Sequence, residues 1–217
     1  ANFGVGYNPI DAKAARPAGV AVSNTPDTVT DATADIGMTL LLAAARRAGE
    51  GERLVRAGKW TGWAPTQMLG AHVTGKTVGI VGMGHIGQAL AERAQALGMN
   101  ISYFDVIRKV GIEQKHGYRF QMLPELLASS DIVSVHVPLT DYTRNLINRR
   151  TLQMMRPDAL LINVARGGVQ DESALHEALT CGWIAGAGLD VFPVFHRDPA
   201  RTVRASTVQG VLSNIGR

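Results

Sequence analysis

From residue 77 to residue 191 the chain alternates between short, almost unbroken apolar runs and longer stretches in which apolar residues recur every three or four positions. The runs are TVGIVG, ISYFD, DIVSVHVP, ALLINVA and IAGAGLDV. Between them lie HIGQALAERAQALG, LPELLASS, a helical turn near TLQMM, and DESALHEALTCG. A strand that is apolar at nearly every position has no side left for water, so its sheet must be covered on both faces. Strand–helix alternation of this kind predicts an α/β domain with a doubly wound parallel sheet.

Upstream the pattern differs. AGVAV, residues 18–22, reads as a short strand ending in the turn SNTPD. From about Asp31 to Gly58, Ile36, Leu40, Leu41 and Ala44 recur at helical spacing behind the helix-starting cluster Thr28, Thr30 and Asp31, predicting one long helix. KWTGWAPTQMLG then reads as a loop with two tryptophans. Residues 1–27 look like the end of another unit, 28–192 form the α/β domain, and 193–217 match nothing regular.

Composition narrows the class. The 217 residues are 46% hydrophobic, as expected of a folded, water-soluble core. IGMTLLLAAA, the longest apolar run, falls far short of the roughly 20 residues a spanning helix needs, so no membrane partner is expected. The first residue is not Met, and ANFGVGYNPID has no secretory leader pattern. Cys181 is the single cysteine and cannot form an internal disulfide, which makes cytoplasm the default location. A net charge of +4 spread over dispersed basic residues argues against nucleic acid and for small anions as partners.

GMGHIG, residues 82–87, has the GxGxxG spacing, weak alone but meaningful here because it follows a strand and opens a helix. Gly82 permits the tight turn, Gly84 lets backbone approach a pyrophosphate, and Gly87 lets helix and strand pack closely. Asp105 ends the next strand, where a carboxylate accepts the ribose hydroxyls of NAD. The fold is thus of the Rossmann dinucleotide-binding type. Arg108, just past that strand, is suited to a 2′-phosphate, so NAD leads and NADP is the alternative. His85 either touches the diphosphate or is an ordinary loop residue.

VHVPLTDYT, residues 135–143, ends a strand at the edge where ligands bind in such sheets. There His136 reads as a satisfied core histidine. INVARGG says more, because a buried strand runs straight into Arg166, whose guanidinium at that edge can grip a carboxylate or polarise a carbonyl. Asp190 ends IAGAGLD as either an acceptor for the nicotinamide amide or a strand-end turn former. No metal site is expected.

Together GMGHIG, HVPLT, INVARGGVQDESAL and AGAGLDVF resemble the cofactor domain of the D-isomer-specific 2-hydroxyacid dehydrogenases. WTGWAP and GVGYNPID are similar to the glyoxylate/hydroxypyruvate reductase and glycerate dehydrogenase branch. The resemblance implies reduction of a small 2-oxo acid such as glyoxylate or hydroxypyruvate by hydride from NAD(P)H. It gives Arg166 the catalytic, substrate-holding role, and gives the Val5 and Gly6 amides the substrate carboxylate, with Val5 also near the nicotinamide. Cofactor contacts are implied at His85, Ile86 and Asp105, at Val137, Pro138 and Thr143 near the adenosine half, and at Val164, Ala165 and Asp190 around the nicotinamide. Residues 1–27 become the remnant of an outer substrate domain with its hinge, and a homodimer through the long helix and the WTGWAP loop is implied.

The chain departs from the family after Phe192. Where the family has Glu and then Pro, Phe195 and His196 stand, and no Pro-His-x-Gly stretch follows. The family's proton donor is that later His, oriented by the Glu. Loss of both removes the acid that meets the alkoxide, a step worth about 10²- to 10⁴-fold. The absent outer domain also predicts uncovered apolar surface near the stub and the long helix. Two readings therefore stand beside the active enzyme: a dinucleotide-binding remnant without turnover, and a nucleotide-dependent interaction protein.

Overall fold

The computed structural model describes residues 1–2, 4–6 and 10–192, together with the backbone of 211–213. Six strands lie parallel: β1 (Thr77–Val81), β2 (Asn100–Phe104), β3 (Arg119–Phe120), β4 (Ile132–Val135), β5 (Leu160–Asn163) and β6 (Gly186–Leu189). A seventh, β7 (Val211–Ser213), runs antiparallel along β6, and the order across the sheet is β3-β2-β1-β4-β5-β6-β7. The predicted doubly wound sheet is therefore present, with one strand where nothing regular was expected. Phe195 and His196 lie outside the described residues.

Alternation along each strand explains the unbroken apolar runs. Val78, Ile80, Ile132, Leu160 and Ile162 point to one side, into a core with Leu40 and Leu41 of helix α2 (Thr30–Ala45) and Leu90 of α4 (His85–Ala96). Val81, Val133, Val135, Leu161 and Leu189 point to the other. They meet Leu126 and Leu127 of α6 (Leu123–Ser129), Leu152 of α7 (Arg149–Met154) and Leu175 of α8 (Glu172–Cys181). Burying a side chain of this size contributes about 1.5–3 kcal/mol, so the two cores hold the strand ends, and the loops on them, in fixed register.

Several expectations fail for local reasons. The long helix is two, α2 and α3 (Ala48–Arg56), broken at Arg47, whose φ of +54° is left-handed. No Gly or Pro marks that break; the Arg47 guanidinium holds it by reaching Glu50 and the Leu69 carbonyl. Ile36 is exposed, because the core face of α2 runs through Ala34, Met38, Leu40, Leu41 and Ala44. Residues 18–22 form no strand: among the described residues no strand pairs with them, Val20 and Val22 are exposed, and the Val20 amide turns back to Ala15 of the short helix α1 (Ala12–Ala15). Helix α5 (Val110–His116) and the two-residue β3 were not anticipated, both being too short to show a period. No helix of the described residues is long and apolar enough to cross a membrane.

Candidate functional site

The strand order reverses between β1 and β4, which opens a crevice at the carboxyl ends of these two strands. The β1–α4 turn fills its floor, and its glycines do separate jobs. Gly82 has φ +99°, and a Cβ there would stand 2.9 Å from the His136 carbonyl carbon. A Cβ on Gly87 would stand 2.2 Å from the Gly82 carbonyl oxygen, so only glycine lets α4 start so close to the strand. At Gly84 a Cβ would meet nothing within 4 Å. Gly84 is also the N-cap of α4 and offers no side-chain cap, so the first amides of the helix have neither an intrahelical acceptor nor a capping side chain. That arrangement suits a diphosphate.

Asp105, at the tip of β2, is tied into this turn. One carboxylate oxygen accepts the Met83 amide at 2.8 Å and the other accepts the Ile107 amide at 3.1 Å. Lone pairs remain on both for ribose hydroxyls. Beside it Val106 and Ile107 are 91% and 65% exposed, apolar surface of the kind an adenine covers and one that the apolar pattern did not single out. Arg108 does not face that place freely: it forks onto Glu113 of α5 at 2.8 and 2.9 Å and lies over the Phe120 ring. Glu113 also accepts from the Tyr103 hydroxyl at 2.7 Å, and the two contacts hold its carboxyl at about 2, well below the usual range. His85 is a loop-facing residue whose Nδ1 sits 2.5 Å from Asp27, a partner sequence reading missed.

At the tip of β4, His136 is half satisfied. Its Nε2 meets the Ser134 hydroxyl at 2.9 Å, but its buried Nδ1 has no partner, which corrects the satisfied core histidine. Burial pushes its pKa down to about 4 and keeps the ring neutral. Val137 packs against Gly82, while Thr143 folds the loop by donating to the Pro138 carbonyl at 2.5 Å and accepting from the Thr140 amide at 2.8 Å.

At the tip of β5, Val164 and Ala165 are buried and Arg166 is exposed. The Arg166 guanidinium donates only to its neighbour's carbonyl, Ala165, and has no ion pair among the described residues. Its backbone is held by Asn163, buried to 1% exposure, which accepts the Ala165 amide at 2.9 Å and donates to the Arg166 carbonyl at 3.1 Å and to Gln170 at 2.9 Å. The sequence pattern does not single out Asn163. The one signal was a polar residue at the end of an apolar run. Asp190, at the tip of β6, hangs its amide on the Asn163 carbonyl, and burial raises its pKa.

Val5 and Gly6 belong to a separate strap. The Val5 carbonyl accepts from Asn24 and the Gly6 carbonyl from Asn2, while Gly4 exchanges bonds with Thr25. These ties run within residues 2–25; none joins Val5 or Gly6 to Arg166 among the described residues. Nor do three potential metal ligands stand together there.

The family model described as D-isomer specific 2-hydroxyacid dehydrogenase, NAD binding domain, matches residues 38–206. The chain belongs to that family. A glyoxylate reductase of Korarchaeum cryptofilum is 50% identical over 203 residues, covering 92% of this chain and 61% of the relative. A solved structure from Thermus thermophilus superposes with a TM-score of 0.85 at 45% identity, covering 90% of this chain and 61% of that one. An NADPH-dependent glyoxylate/hydroxypyruvate reductase of Sinorhizobium meliloti, solved with NADP and malonate, gives 0.81 at 38% identity and covers 90% and 60%. This dehydrogenase domain thus spans about three fifths of the length of the curated relatives it matches.

Proposed function

We propose that the chain is the dinucleotide-binding part of a 2-hydroxyacid dehydrogenase that reduces a small 2-oxo acid such as glyoxylate or hydroxypyruvate. The observation that carries this reading is the juxtaposition on one sheet edge of the open Gly84 turn, the Asp105 carboxylate and the unpaired Arg166. The amides opening α4 hold the diphosphate and Asp105 holds the adenosine ribose. Val137, Pro138 and Thr143 shape the wall of the adenosine half, and Val164, Ala165 and Asp190 seat the nicotinamide. Bound NADH supplies the hydride. Arg166, with donors arranged in a rigid fork, grips the carboxylate of the 2-oxo acid or polarises its carbonyl. The Val5 and Gly6 amides complete the substrate side by donating to its carboxylate.

The alkoxide formed at the carbonyl needs a proton donor near neutral pKa. His85 is engaged with Asp27, and His136 is half-buried and held neutral, so neither takes that role. With Phe195 at the family's Glu position, the second reading is binding without turnover. NADH titration followed by Trp fluorescence, together with NADH oxidation on added glyoxylate, separates the two. Quenching with turnover supports the enzyme, quenching alone the remnant, and a flat titration of folded protein refutes both.

We also propose a homodimer. Val55, Trp60, Trp63 and Leu69 are 45–80% exposed in and just beyond α3, an apolar face that a second copy would cover. Sedimentation of Trp63→Glu tests it: a parent dimer that becomes a monomer supports the interface, and a monomeric parent refutes it. A single exposed cysteine agrees with a reducing compartment, the cytoplasm.

A further inference from the structure

NAD and NADP differ by one phosphate on the adenosine ribose, and the family includes a relative described as NADPH-dependent, so residues local to Asp105 must decide for this chain. Two groups near that ribose bear on the choice. Asp105 repels a phosphate. Arg108, three residues on, would attract one, but its guanidinium is already engaged: it forks onto Glu113, lies over Phe120, and its stem follows a backbone whose Lys109 amide is fixed to the Tyr103 hydroxyl at 2.7 Å. Glu113 is itself clamped from behind, since the buried Tyr103 donates to it. These contacts on α5, β2 and β3 engage Nε and Nη2 of Arg108 with the Glu113 carboxylate and place its guanidinium over the Phe120 ring.

We propose that Glu113 is a specificity-determining residue: it withholds Arg108 from the 2′ position of the ribose and so makes this site select NADH over NADPH. The proposal rests on the dinucleotide reading of the turn. Glu113 touches neither cofactor and acts through Arg108. An arginine freed of its carboxylate offers a phosphate a forked, charge-assisted contact, and one such contact changes affinity by about tenfold or more.

The test is titration of the chain and its variants with NADH and with NADPH, read by nucleotide or Trp fluorescence. Glu113→Gln is the main variant, because its amide oxygen still accepts from Tyr103 while the charge that holds Arg108 is gone. NADPH should bind it about tenfold more tightly than it binds the parent, with NADH changed less than about twofold. Arg108→Ala in the parent should leave NADPH affinity within about twofold, since the guanidinium is already withheld; in Glu113→Gln the same change should erase the gain. A Glu113→Gln chain with the parent's NADPH-to-NADH ratio overturns the proposal. So does a parent in which Arg108→Ala weakens NADPH, a result that needs no Glu113 variant to fold. A folded parent that binds neither nucleotide overturns the dinucleotide reading itself, and this inference with it.

Discussion

Replacing Gly87 and Gly84 by alanine, one at a time, separates the two things the turn does. At Gly87 the added carbon would lie 2.2 Å from the Gly82 oxygen and 3.2 Å from Ile80 Cγ2. Ordinary contact begins near 3.4 Å, and the obstacle is backbone, so α4 must withdraw by about 1 Å from the strand it packs on. Overpacking of this kind costs about 1–3 kcal/mol, which for a chain this long lowers the melting temperature by about 2–12 °C. The same shift moves the first α4 amides off the proposed diphosphate position, and losing even one charge-assisted contact should weaken NADH about tenfold or more. At Gly84 the carbon meets nothing and φ is −78°, so alanine is tolerated, at a cost of about 0.5–1 kcal/mol at the cap. It occupies the space proposed for the diphosphate. Differential scanning fluorimetry and NADH titration on both variants should therefore show Gly87→Ala losing stability and binding, and Gly84→Ala losing binding with a melting temperature within a few degrees of the parent. Equal destabilisation by the two changes, or parent-like NADH affinity in Gly84→Ala, would refute the reasoning.

Asn163→Ala should cost about 2–4 kcal/mol, because the buried Ala165 amide and Gln170 lose their partner together; a chemical-denaturation midpoint unchanged from the parent would show that the Arg166 loop is held some other way. His136 carries a folded-state pKa near 4, below its ordinary 6.5, so the unfolded chain takes up the proton first. Its contribution is complete above about pH 6.5 and is lost as pH falls towards 4, at most about 3 kcal/mol. His136→Gln should flatten the stability curve in that window, and an identical pH profile would count against burial as the cause. Glu113, held at about 2, contributes stability that is present above about pH 4.5 and lost as pH falls towards 2, so Glu113→Gln should remove part of the acid limb of the unfolding curve.

What sequence made legible was whatever a period or a spacing records. Val78, Ile80 and Val81 belong to opposite cores, yet both cores are apolar, and the run they form announces a strand covered twice. GMGHIG followed by Asp105 encodes a turn and an acid at a fixed offset, and the contact from Asp105 to the Met83 amide is the reason the offset is useful: the carboxylate proposed for the ribose also pins the loop proposed for the diphosphate. Illegible were the parts decided by pairs distant in sequence or by a single backbone angle. Arg47 breaks a helix because Glu50 and Leu69 happen to receive its side chain, and AGVAV stays unpaired among the described residues, its Val20 amide turned back to Ala15. The cofactor preference is of the same kind. Arg108 read alone favours a phosphate; with Glu113 five residues on and Tyr103 behind it, the same cation is already neutralised, and the site is left to the negative charge of Asp105. A motif names the ligand class, while the partner of one neighbouring side chain selects the member of that class, so Arg108→Ala in the parent is where the two descriptions give opposite answers for NADPH.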